Sequence, residues 1–166
     1  MRRCLLITAA FFSFVLMTGC SNAEALDITD KSKIVLIPDG DGGEALTIST
    51  FIKNNSDQTS EPFYIEFEIL NNQLQSKLKE SKLIVGENYS GDPPGEVYKV
   101  KSHTTLQAGS TLRINGKIEE AALKKIITQN NAVKVNLLSK NNNLIKSSYI
   151  NGFAKDLTTD GIDDSK

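Results

Sequence analysis

With 166 residues the chain has room for one ordinary domain and is tight for two. Its hydrophobic fraction of 39% and charged fraction of 23% are those of a globular protein. Setting aside Arg2 and Arg3 leaves 17 basic against 20 acidic residues, and Arg113 is the only arginine beyond residue 3. That balance offers no electrostatic case for nucleic acid and little of the bidentate chemistry that holds phosphate, so it predicts no nucleic-acid partner.

The N-terminus reads as a targeting segment. Arg2 and Arg3 form a short positive region, Leu5 to Met17 is apolar apart from Thr8 and Ser13, and the small residues Thr18 and Gly19 follow. This is the three-part layout of a secretory signal peptide. The apolar run is shorter than the roughly 20 residues a spanning helix needs, and the next stretch, SNAEALDITD, is polar and acidic. Leu16-Met17-Thr18-Gly19-Cys20 resembles the lipobox of bacterial lipoproteins, with Met17 standing where Leu, Val or Ile is more usual. The resemblance covers the first twenty-odd residues. It implies that the Cys20 thiol receives a diacylglyceryl group and that a peptidase cuts just before it. Cys4 would leave with the signal and Cys20 would be the sole cysteine of the exported chain, where lipid attachment removes an otherwise unpaired thiol. The expected organisation is a signal peptide over 1–19, a lipidated tether over 20–32, a β domain over 33–154 and a disordered acidic tail over 155–166.

Beyond the tether the elements follow in order. Ile34 to Ile37 is a short apolar strand, and the acidic turn DGDGGE (Asp39 to Glu44) comes next. Leu46, Ile48, Thr50 and Ile52 then alternate with polar residues, as do Phe63, Ile65, Phe67 and Ile69 against Tyr64, Glu66 and Glu68. Period-two alternation places one face in a core and the other in water. Lys77 to Val85 is ambiguous between a helical turn and a strand. Glu96 to Leu106 reads as a strand with His103 on its polar face. A further strand starts at Ser110 and carries Leu112, Ile114 and Ile118 on one face. Glu119 to Gln129 places Ala122, Leu123, Ile126 and Ile127 at helical spacing, with acidic residues first and lysines later, as the helix dipole favours. Val133, Val135 and Leu137 begin a closing hairpin that runs on through Leu144 to Phe153. About seven short strands separated by Asn- and Gly-rich turns predict an all-β, antiparallel sandwich with one short crossover helix. ISTFIKNNSDQTSEPFYIEFEIL and LQAGSTLRINGKI resemble segments of the small immunoglobulin-like domains of bacterial surface lipoproteins. That resemblance implies an Ig-like Greek key.

Residues able to carry chemistry are few. His103 is the single histidine, and neither a second histidine nor a free cysteine is at hand to complete a metal set or triad. Ser110, in AGST, lacks the second glycine of a nucleophile elbow. DGDGGE fits the first and third ligands of an EF-hand at Asp39 and Asp41, then fails: Gly43, Glu44 and Thr50 stand where a ligand, a glycine and the closing glutamate belong. The longest non-periodic stretch is GENYSGDPPGEVY, where Pro93 and Pro94 stiffen a loop flanked by Tyr89 and Tyr98. Rigid, aromatic-bearing loops make contact surfaces, so these four residues form the candidate interaction loop. The expectation is a non-enzymatic lipoprotein without a cofactor, anchored through Cys20 at the extracytoplasmic face of the cell membrane. It would serve as a protein-interaction or accessory module for another envelope or surface protein. The alternative is a small-ligand or calcium-binding lipoprotein that uses the acidic turn.

Overall fold

A computed structural model describes residues 25–39, 42–86 and 95–155 of the chain. The signal segment, Cys20, the loop residues Tyr89, Pro93 and Pro94, and the tail after Lys155 lie outside the described residues. The described elements run β1 (Leu26–Ile28), β2 (Lys33–Asp39), β3 (Gly43–Asn54), β4 (Phe63–Ile69), α1 (Asn72–Leu78), β5 (Lys82–Ile84), β6 (Thr105–Arg113), α2 (Glu120–Gln129), β7 (Val133–Ser139), β8 (Leu144–Tyr149) and β9 (Gly152–Lys155). The protein is mostly β, as alternation predicts. No helix among the described residues is long and apolar enough to cross a membrane.

The strands form two sheets. The first is built on the long strand β3. β1 and β2 lie end to end along one of its edges, paired from Leu26–Asn54 to Ile28–Ile52 and from Lys33–Ser49 to Asp39–Gly43. β6 runs along the other edge, from Thr105–Lys53 to Arg113–Ala45, without a register break. β9 adds to β2, and this pair is parallel where the sequence reading expects only antiparallel neighbours. The second sheet has the order β5-β4-β7-β8 and is antiparallel throughout.

One core lies between the sheets. Ile34, Leu36, Leu46, Ile48 and Ile52 of the first sheet meet Phe63, Ile65, Phe67, Ile69, Val133, Val135 and Leu137 of the second. Leu74 and Leu78 of α1 and Leu123, Ile126 and Ile127 of α2 close the core. Each fully buried aliphatic or Phe side chain contributes about 1.5–3 kcal/mol, which makes this layer the main source of stability.

The structure corrects four expectations. The tether does not run to residue 32, because Leu26 and Ile28 are buried around exposed Asp27 and place β1 in the first sheet. The corner between β1 and β2 is held by Ser32, whose hydroxyl accepts from the Phe51 N–H at 3.0 Å and lies 3.3 Å from the Thr50 hydroxyl. Second, there are two described helices rather than one. Asn71 caps α1 by accepting from the Leu74 N–H at 3.0 Å, and Lys79 ends it in the left-handed region at φ 57°. Third, Glu96 to Thr104 is not a strand through His103, whose φ of 54° sets a turn before β6, and β6 begins at Thr105 rather than Ser110. Fourth, Lys155 is the last residue of β9 rather than the first of a tail.

Candidate interaction surface

The candidate loop leaves and rejoins the fold at the β5 edge of the second sheet. Its two described feet press on each other. The Glu96 N–H donates to the Val85 carbonyl at 3.0 Å. Gly86 and Gly95 both have positive φ, at 74° and 111°, and a Cβ at Gly95 would fall 2.5 Å from Ile84 Cγ2. Only glycine meets both conditions without strain. Just beyond, Tyr98 and Phe63 exchange backbone hydrogen bonds of 3.0 and 2.9 Å, and their ring centroids stand 6.4 Å apart. The Tyr98 hydroxyl donates to Glu96 Oε2 at 2.8 Å. Burial, followed by the hydrogen bond and negative charge of Glu96, raises the Tyr98 phenol above its ordinary pKa. Of the four predicted loop residues, Tyr98 is the one described, and its ring anchors the loop to the core edge.

The loop feet follow β5, an edge strand of the second sheet, whose outer face has its own chemistry. Alternation directs Tyr64, Glu66 and Glu68 of β4 away from the core, and the register sets Leu138, Asn136 and Lys134 of β7 beside them. Polar residues on an outward face would ordinarily be wet. Here Glu66 and Asn136 are each only 6% exposed. Asn136 Nδ2 donates to Glu66 Oε1 at 3.0 Å, and the Lys82 ammonium lies 3.1 Å from the other carboxylate oxygen. The remaining amide oxygen of Asn136 is buried without a hydrogen-bond partner. A buried polar cluster of this kind is held firmly, and its one unmet acceptor is costly. Across the same face the register brings Leu144 opposite Leu138 and Tyr149 opposite Lys134. Leu144 is 57% and Tyr149 is 46% exposed, two of the large apolar side chains most open to solvent among the described residues. The face therefore presents apolar side chains around a rigid polar centre, the composition of a contact surface. Sequence reasoning missed it because Glu66 and Asn136 read as solvent-facing. The signal available was the pairing of a long acidic and an amide side chain at matching positions of two central strands.

The other candidates fall elsewhere. Arg113 binds the Asp39 carboxylate through Nε and a terminal nitrogen, so the first ligand proposed for calcium already has a cationic partner. Asp41 is outside the described residues. An open cleft of about 510 Å³ lies beside this hairpin, lined by Pro38, Glu44, Lys117, Glu119 and Glu120 among others, with Lys155 bonded to Glu120 at 2.8 Å. His103 Nε2 stands 2.8 Å from Asp57 Oδ1, with both side chains largely in solvent. Ser110 lies within β6, its backbone paired with Ile48.

No protein-family model and no curated protein matches the chain. Among solved structures it is similar to Pseudomonas fluorescens alkylpurine DNA glycosylase AlkC bound to DNA containing an abasic site analog. The identity is 9% and the TM-score 0.35, over 78% of this chain and 31% of that one. The chain thus spans about a third of that protein's length. An enzyme bound to DNA stands against two expectations read from composition and motifs, that the chain is not an enzyme and that nucleic acid is excluded as a partner. Both exclusions are withdrawn. At this TM-score the likeness carries no argument that the chain shares either property.

Proposed function

We propose that the chain is an extracytoplasmic lipoprotein held to a cell membrane through Cys20, and that its β domain is an immunoglobulin-like sandwich acting as a protein-interaction or accessory module. The observation that carries this reading is Leu16-Met17-Thr18-Gly19-Cys20 behind an apolar run and Arg2-Arg3. Two acyl chains on one cysteine suffice for stable anchoring, at about 0.8 kcal/mol per buried CH2. Leu26 already belongs to β1. Six residue spacings separate it from Cys20 and reach at most about 20 Å, so the domain stays close to the bilayer.

Strand neighbours support the immunoglobulin-like part. With β1 and β2 as the first strand, β3 as the second and β6 as the fifth, the first sheet follows the A-B-E order. β4, β7 and β8 follow C-F-G in the other. The outer face of the second sheet, with Leu144 and Tyr149 around Glu66 and Asn136, supports an interaction role.

The test is detergent phase partitioning of the full chain expressed in a bacterial host, with intact mass of the mature N-terminus. Wild type is expected in the detergent phase, beginning at a diacylglyceryl-modified Cys20, and Cys20→Ser in the aqueous phase or unprocessed. A wild-type chain with a free Cys20 thiol in the aqueous phase would sink the reading. The cleft beside the acidic hairpin favours a second reading, a ligand-binding lipoprotein. A rise in melting temperature with calcium that is lost in Glu44→Gln would support it.

A further inference from the structure

We propose that β6 pairs with the β6 of a second copy, antiparallel about a two-fold axis at Gly109, and joins two first sheets into one. The argument begins with the direction of the backbone groups. The Asn54 N–H donates to the Thr104 carbonyl and the Ile114 N–H to the Glu44 carbonyl. In an antiparallel ladder this parity turns the even-numbered residues of β6 toward β3. Thr105, Gln107, Gly109, Thr111 and Arg113 therefore aim their N–H and C=O groups away from the sheet. Among the described residues β6 has β3 as its one strand neighbour.

Sheet edges are ordinarily blunted by shortness, bulges, prolines or charges. β5 is three residues long, and the β7–β8 pairing is interrupted by a register shift at Leu137–Leu138. β6 has none of these devices. It is nine residues long, its register is continuous, and TLQAGSTLR contains no proline and a single charge, Arg113, which is turned to Asp39.

The strand also fits itself. A two-fold axis at Gly109 sets Gln107 opposite Thr111 and Thr105 opposite Arg113 on the solvent face, and Leu106 opposite Leu112 on the core face. All odd residues meet odd residues, so the outward backbone groups find one another in about ten hydrogen bonds. Like charges never face each other. Leu106 and Leu112 are half-buried at the rim of the core and would gain cover across the seam. Gly109 has its own reason to be bare, since a Cβ there would collide with the Ile48 carbonyl oxygen. The result is an axis position with no side chain to hold the strands apart. This edge accepts a strand that alternates apolar with polar residues and brings no unpaired charge to the seam, and β6 is such a strand, its Arg113 being held by Asp39. A second copy is thus the occupant, and the proposal does not depend on lipidation.

The test is sedimentation velocity of the full chain in non-ionic detergent over a wide concentration range, with amide hydrogen exchange. Wild type is expected to dimerise, with slow exchange at Gln107, Gly109 and Thr111. Gln107→Lys with Thr111→Lys places two lysine pairs across the axis and is expected to weaken the dimer by about tenfold or more. Gln107→Lys with Thr111→Glu places two opposite-charge pairs there and is expected to restore it. Both variants alter the side-chain hydrogen bonds of Gln107 with Ser49 and of Thr111 with Thr47, so the two are compared with each other, and a shared change in melting temperature leaves the contrast in dimerisation intact. A wild type that stays monomeric overturns the proposal, even where it captures an extended peptide at this edge. So does a dimer that both variants leave unchanged.

Discussion

β4 and β6 carry the same period-two alternation and end in opposite situations. β4 lies between β5 and β7, and six of its seven residues are buried, including Tyr64 and Glu66 on the outward face. β6 lies at a rim, and every odd-numbered residue from Thr105 to Arg113 is exposed. Alternation reports which side chains look into the core. It does not report how many neighbours the strand has, or what covers its second face. The outward residues separate the two: Tyr64, Glu66 and Glu68 in β4 are long enough to reach across to its neighbours, whereas β6 presents Thr105, Gln107, Gly109 and Thr111, with Arg113 at its end turned to Asp39.

The contrast breaks most visibly at the core positions. Phe67→Ala in β4 is expected to cost about 3–5 kcal/mol, since Phe67 is fully buried between sheets. Leu112→Ala in β6 is expected to cost about 1 kcal/mol, for a half-buried side chain at the rim. Urea unfolding of the two variants measures both, and equal losses would erase the distinction. The outward face of β4 gives an intermediate effect. Glu66→Ala leaves both ends of the Asn136 amide without a protein partner and is expected to cost about 2 kcal/mol. Replacing both, Glu66→Leu with Asn136→Leu, is expected to recover most of that loss, because the desolvated polar atoms leave together. A double variant as unstable as the single one would mean the cluster does more than satisfy itself.

The smallest effect concerns the edge of β4, where Tyr98 docks on Phe63. Its phenol is raised in the folded state, so the neutral form is favoured there. The associated stability is complete below the ordinary tyrosine value of about 10 and is lost as the pH climbs above it. Wild type is therefore expected to lose melting temperature more steeply than Tyr98→Phe on alkaline titration, with the two nearly matched at neutral pH. Parallel alkaline curves would remove Tyr98 from the account.

Much of the fold was legible because its signals are long. Leu46 to Ile52, Phe63 to Ile69 and Val133 to Leu137 each repeat the period enough times to declare a strand, and Glu119 to Gln129 completes nearly three helical turns. β1 was illegible because Leu26 and Ile28 offer a single repeat inside an acidic, polar stretch. α1 was half-legible: Leu74 and Leu78 are one helical turn apart and Asn71 is a good cap, but the helix is only seven residues long and its last two, Lys77 and Leu78, fall in the ambiguous Lys77 to Val85. The parallel placement of β9 has no local signal at all, because it depends on where β2 already lies. The interaction surface was the least legible part. Burial of Glu66 and Asn136 is a property of two strands in register, and neither strand announces it alone.

The pairing of β9 with β2 has a consequence in time. Lys33 is partnered by Gly152, 119 residues later. A chain made at about 5–20 residues per second delivers the second partner roughly 6–24 s after the first. Any vectorial emergence, from a ribosome or through a membrane pore, imposes the same order. Throughout that wait the apolar run Ile34 to Ile37 has β3 on one side and an open edge on the other. The final act of assembly is then a late zippering by the last four described residues, and whatever keeps nascent copies apart until then decides how much protein reaches the native state.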